Sequence, residues 1–155
     1  MSNTKCLRLH FMSETFLNKS VAIKKKFADL SSPEDRYNLL IEMGRALPPL
    51  SADLKNSENL VSGCQSILYL SARLQNDLLY FDASSDALIS SGLAALLISV
   101  YSGESPETIL REPPQFLADL GIHASLSPNR SNGLSHIHLR MKQEAVKFFM
   151  SLTHS

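Results

Sequence analysis

The chain of 155 residues is 44% hydrophobic, which is enough for one domain with its own core. Basic and acidic residues balance at 15 each, so no net field draws nucleic acid or an anionic membrane as a partner. Its two cysteines, Cys6 and Cys64, stand far apart and exclude both a disulfide framework and a thiolate-rich metal centre, so a reducing, cytoplasmic setting is expected.

Residues 1 to about 15 show neither a hydrophobic period nor the basic, apolar, small-residue order of a secretory signal, and Met12 is an alternative start that would discard Cys6. From about Thr15 to Leu30, Phe16, Val21, Ile23, Phe27 and Leu30 recur at helical spacing, with Lys24-Lys25-Lys26 on the wet face. The next helix has clearer ends. Ser32 caps it, Pro33 occupies the first position where no amide hydrogen is needed, and Asp35 complements the positive end. Tyr37, Leu40, Ile41, Gly44 and Leu47 form its apolar stripe, and Pro48-Pro49 stops it.

Residues 48–59 read as a polar loop and Leu60 to Ser62 as a short strand leading into Cys64. Past the cysteine, alternation puts Leu68, Leu70, Ala72 and Leu74 on one face of a strand, and Ile67, Tyr69, Ser71 and Arg73 on the other. Gln75-Asn76-Asp77 turns the chain and Leu78 to Asp82 returns, giving an antiparallel hairpin that needs helices over one face to be stable. Ser84-Ser85-Asp86 is expected to open a helix burying Ile89, Leu93, Leu96, Leu97, Val100 and Tyr101. Gly92 lies on that buried face, where its benefit is the close approach of another backbone. The most apolar part of this helix, Leu93 to Tyr101, is too short to cross a bilayer, which takes roughly 20 residues. Short helices follow from Ser105-Pro106 and from about Pro114 to Gly121. A loop, Ser127 to Gly133, precedes a final helix burying Leu134, Ile137, Met141, Ala145, Phe148 and Leu152. Strands without strict strand-helix alternation indicate an α+β fold.

The chemistry centres on Gly63-Cys64-Gln65-Ser66. A zinc or cluster site needs several Cys or His ligands at paired spacings, and none exist; His136 and His138, two apart on a helix, face different ways. A cysteine hydrolase would need a histidine base beside the thiol, for which His123 is the loop candidate. A sulfur carrier needs only an accessible, partly ionised thiol and a docking surface. Gly63 permits a tight turn beside Cys64, while Gln65 and Ser66 supply amide and hydroxyl donors for an anionic sulfur. An inert buried cysteine is equally compatible with these residues alone.

Four blocks, in order, resemble a known family. Met43-Gly44-Arg45-Ala46-Leu47-Pro48 is similar to ELGRxLP, and Asn59-Leu60-Val61-Ser62-Gly63-Cys64-Gln65-Ser66 to NxVxGCQS. Ser85-Asp86-Ala87-Leu88-Ile89 with Gly92-Leu93 is similar to SDAxIVxGL, and Leu126-Ser127-Pro128-Asn129-Arg130-Ser131-Asn132-Gly133-Leu134 to LSPSRSNGL. Together they cover about residues 20–152 and resemble the SufE-type sulfur acceptors of iron-sulfur cluster assembly.

The resemblance implies a small three-stranded antiparallel sheet packed against helices, the SufE/NifU-like (IscU-like) fold. Cys64 would accept sulfane sulfur as a persulfide from a SufS-type cysteine desulfurase, stimulate that enzyme and pass the sulfur to a downstream scaffold. On this resemblance the pyridoxal phosphate would belong to the desulfurase, and this chain is expected to be an accessory protein rather than an enzyme, with no cofactor or metal of its own. A cluster scaffold of the same fold carries three ligating cysteines, whereas here Cys64 stands alone in the fold. Arg130 and Asp86 are candidate partner or anion contacts, against simpler roles in tying down a loop and complementing a helix dipole. Gly63 and Gly133 are read as turn-permitting backbone. Leu68-Tyr69 stands where many relatives have Val-Trp. Residues 1–19 are an addition, expected to be peripheral or poorly ordered, before a single domain over 20–155, monomeric or weakly homodimeric. A noncatalytic interaction module of the same fold is the other alternative.

Overall fold

The computed structural model describes residues 13–123 and 126–153, so Cys6 and Met12 lie outside the described residues. Helix α1 runs Glu14–Ala28, with the Ser13 side chain accepting from the Phe16 amide. Phe16, Ile23 and Phe27 are buried, but Val21 is 52% exposed and the helix stops before Leu30. The expected boundary at residue 19 falls inside this helix. Ser13, Thr15 and Lys19 all donate to the carboxylate of Glu104, at 2.7 to 2.9 Å, and Glu104 is only 2% exposed. A buried acid fully supplied with donors fixes residues 13–19 to the domain.

Helix α2, Pro33–Arg45, starts as expected, with Ser32 Oγ accepting from the Asp35 amide at 3.1 Å. Leu40 and Gly44 are its buried positions, while Tyr37, Ile41 and Leu47 are half-buried. Strands β1, Leu68–Gln75, and β2, Leu78–Ser85, pair antiparallel from Leu68 opposite Ser85 to Gln75 opposite Leu78. Asn76 and Asp77 form the two-residue turn with φ of 53° and 63°, the left-handed conformation that matches strand twist. Leu68 and Leu70 on β1, and Leu79, Phe81 and Ala83 on β2, point into the core.

The sheet among the described residues has two strands, not three. The segment at Leu60 joins β1 through one isolated bridge to Tyr69 and two backbone hydrogen bonds, Val61 to Leu68 and Leu70 to Asn59. It cannot lengthen because the chain turns away at Gly63, whose φ is +87°.

Helix α3, Leu88–Tyr101, is the hub of the core, with Ile89, Leu93, Leu96, Leu97, Val100 and Tyr101 all buried as expected. It begins later than Ser84-Ser85-Asp86, because Ser84 and Ser85 stay in β2 and the Ser85 and Asp86 side chains bind the backbone of Ile67. Helix α4, Pro106–Arg111, is capped by Ser105, and a 3-10 turn over Gln115–Leu120 ends at Gly121. Helix α5 runs Pro128–Thr153 and absorbs the loop expected at 127–133. The Ser127 carbonyl accepts from the amides of Arg130 and Ser131, so Ser-Pro opens this helix as it opens α2. Leu134, Ile137, Met141 and Ala145 are buried, Phe148 is half-buried and Leu152 is exposed.

Candidate functional site

The segment carrying Cys64 is held at both ends. Before the cysteine, the bridge at Leu60 ties it to β1, and Arg140 on α5 donates to the carbonyls of Glu58 and Leu60. After it, Ile67 donates its amide to the Asp86 carboxylate at 3.1 Å and accepts from Ser85 Oγ at 2.7 Å. Between these anchors Gly63 packs on the ring of His136: a Cβ there would lie 2.4 to 2.6 Å from three ring atoms. The thiol therefore sits on a short loop pressed onto α5.

Cys64 is half-buried and lines a cavity of about 180 Å³ between this loop, α3 and α5. Ile89, Leu93 and Ile137 give it an apolar interior, and Gln65, Ser66 and Ser90 give it polar walls. Ser66 Oγ and Ser90 Oγ lie 2.5 Å apart and share a hydrogen bond. Arg130 on the first turns of α5 completes the lining from an exposed position. Its Nη1 donates to the Tyr37 hydroxyl at 3.1 Å, with the guanidinium 5.6 Å from the centre of that ring, so α2 steadies the cation. Burial pushes the Cys64 thiol up, because a thiolate loses hydration in the half-enclosed cavity.

The structure thus brings Cys64, Gln65, Ser66 and Arg130 together, with Gly63 directly behind them. Asp86 does not line the cavity and precedes the first turn of α3; its carboxylate anchors Ile67 at the end of the loop. Gly133 lines the cavity from within α5 and serves no turn. His123 lines a different cavity with His138 and Lys142, on another face of α5, so the structure does not bring it to the thiol. Among the described residues no group of three His, Cys, Asp or Glu side chains is placed to hold a metal, and no helix is long and apolar enough to cross a membrane.

Sequence reasoning missed Ser90, Tyr37, His136 and Arg140. The signal for two of them was spacing: Gly133, His136 and Arg140 recur at helical intervals once α5 is known to start at Pro128, and they meet the Cys64 segment. Ser90 is a polar residue one turn before Leu93, near the start of α3.

Residues 21–145 match the SufE family, described as an Fe-S metabolism associated domain. An uncharacterized SufE-like protein of Synechocystis is 34% identical over 126 residues, covering 81% of this chain and 79% of that protein. SufE-like protein 1, chloroplastic/mitochondrial, of Arabidopsis thaliana is 37% identical over 125 residues, 80% of this chain but 34% of the longer plant protein. The solution structure of a hypothetical protein from Thermus thermophilus superposes with a TM-score of 0.72 at 25% identity, covering 85% of this chain and 96% of that one. With the cysteine loop, the α2 and α3 blocks and the start of α5 all inside the matched region, the chain belongs to the SufE family.

Proposed function

We propose that this protein accepts sulfane sulfur on Cys64 from a SufS-type, pyridoxal-phosphate cysteine desulfurase and passes it to an iron-sulfur scaffold. The observation that carries this reading is a single thiol in a small cavity whose mouth holds a cation, Arg130, in a chain of this family. The step balances without a cofactor on this chain. The Cys64 thiolate attacks the outer sulfur of the partner's cysteine persulfide, the sulfur–sulfur bond of that persulfide breaks, and the partner's sulfur leaves as a thiolate that takes the proton. No net oxidation occurs, because one persulfide is exchanged for another.

Two features of the chain suit this exchange. The apolar interior shelters the sulfur from oxidants between transfers. Arg130 offsets the charge of a thiolate or persulfide that burial alone would disfavour, and it is the natural contact for an acid on the partner.

The test is to mix the purified protein, its desulfurase and cysteine, and to follow the mass of the Cys64 peptide. The expected result is one added sulfur atom on Cys64, none on Cys64→Ser, and loss of desulfurase stimulation in that variant. Stimulation that survives Cys64→Ser in full would instead mark a noncatalytic interaction module.

A further inference from the structure

The hydroxyls of Ser66 and Ser90 contain one hydrogen more than their contact uses. At 2.5 Å they share a single hydrogen bond, whichever of the two donates, so the accepting hydroxyl keeps its own hydrogen. Serines inside helices commonly return that hydrogen to a carbonyl one turn back, as Ser20 does to Phe16 and Ser99 to Leu96 in this chain. Ser90 stands in the first turn of α3, and its side chain meets Ser66 on the Cys64 loop instead. Both serines line the cavity that holds Cys64, and although Gln65 and Asn129 share that lining, neither serine hydroxyl makes a second hydrogen bond to the protein.

An anionic sulfur on Cys64 is the acceptor this arrangement lacks. A neutral thiol is a weak acceptor, whereas a thiolate or terminal persulfide anion is a strong one, and a hydrogen bond to a charged group in an apolar site is worth more than one in water. Arg130 supplies positive charge from the exposed mouth, where Tyr37 holds it, while the serine pair lines the cavity itself. We propose that the Ser66–Ser90 hydroxyl pair donates a hydrogen bond to the anionic sulfur on Cys64, with Ser90 as the positioning residue that orients Ser66. This rests on the carrier reading for its biological meaning but not for its test. The ionisable groups at the cavity are Cys64 and Arg130, with His136 behind Gly63.

The experiment uses the full chain as wild type, Ser90→Ala, Ser90→Val, Ser90→Thr and Ser66→Ala. Valine is the residue that the resembled block SDAxIVxGL carries at the position of Ser90, and threonine keeps the hydroxyl. Iodoacetamide alkylation of the Cys64 peptide is followed by mass spectrometry against pH to read its thiolate inflection, and Cys64 is loaded near neutral pH with inorganic polysulfide, from which the thiolate takes one sulfane sulfur and leaves a polysulfide one atom shorter. Ser90→Ala and Ser90→Val are expected to move the thiolate inflection to higher pH and to slow loading about tenfold, the worth of one hydrogen bond to a charged group. Ser90→Thr should stay near wild type, and Ser66→Ala, which leaves α3 intact, should match Ser90→Ala. An unchanged inflection in Ser66→Ala or Ser90→Ala overturns the proposal, as does a Ser90→Thr variant as impaired as Ser90→Ala. Wild-type Cys64 that takes sulfur from neither polysulfide nor desulfurase would sink the carrier reading, while a shifted inflection in the serine variants would still uphold the hydrogen bond.

Discussion

Gly92 rests its Cα against the backbone carbonyl of Leu40: a Cβ built on Gly92 would lie 2.3 Å from that oxygen. The contact is mutual, since a Cβ on Gly44 would lie 2.6 Å from the Gly92 amide nitrogen. Helices α2 and α3 therefore cross backbone to backbone, with fully buried Leu40, Leu93 and Leu96 around the crossing. Gly92→Ala gains about 1 kcal/mol of helix propensity but drives a methyl group into a carbonyl that cannot swing aside. We expect a net loss of about 2 to 3 kcal/mol, within the range for overpacking, measured as a lower urea midpoint.

Gly63→Ala should act on the loop rather than on the core. Its φ of +87° strains any side-chain-bearing residue by about 1 kcal/mol, and the new methyl would collide with the His136 ring. The Cys64 loop should lift from α5, raising the rate of thiol alkylation at fixed pH. Adding His136→Ala should restore slow alkylation in part, since it removes the collision but not the backbone strain. Equal alkylation rates in wild type and Gly63→Ala would show that His136 does not seat the loop.

The parts of this architecture written locally were legible from sequence. Ser32-Pro33, the alternation of Leu68 to Leu74 and the Asn76-Asp77 turn act through neighbours in the chain, and each element formed where those signals put it. Misreadings arose where a side chain serves a distant backbone. Ser85 and Asp86 have the composition of a helix start, and Ser85 Oγ does accept from the Ala87 amide, but both side chains also bind the backbone of Ile67, 18 and 19 residues away. Asn129 to Gly133 reads as turn-forming, yet Ser127-Pro128 nucleates a helix through it. At the site, Cys64 and Arg130 were visible because the family blocks contain them, whereas Ser90 and His136 become meaningful only when α3 and α5 converge on the loop.

The reactivity of Cys64 should be governed by its burial. Because desolvation penalises the thiolate, the folded protein keeps this thiol protonated to higher pH than an exposed cysteine. Alkylation with iodoacetamide, followed by mass spectrometry across pH, should show an inflection above the ordinary thiol value in the native chain. In denaturing urea it should return to that value. Docking of a desulfurase that brings a positive group to the cavity, or frees Arg130 from Tyr37, should lower the native inflection. An inflection identical in native and denatured protein would mean that the cavity does not enclose the sulfur.

His138 links stability to pH from the far side of α5. Desolvation first, and the charge of Lys142 second, hold its imidazole down at about 4 from an ordinary 6.5. Its Nε2 is buried without a partner, and its ring lies 5.2 Å from that of buried Tyr101. The folded state therefore stays unprotonated where the unfolded chain takes up a proton. The resulting stabilisation is complete above the unfolded value, and it is lost as pH falls through 6.5 toward 4. Discounted for partial exposure, the loss is about 2 kcal/mol. Urea titrations at neutral and mildly acidic pH should show that decline in wild type and a smaller one in His138→Leu, whose side chain keeps the contact with Tyr101 but has nothing to protonate. Parallel declines in the two proteins would move the acid sensitivity to other groups.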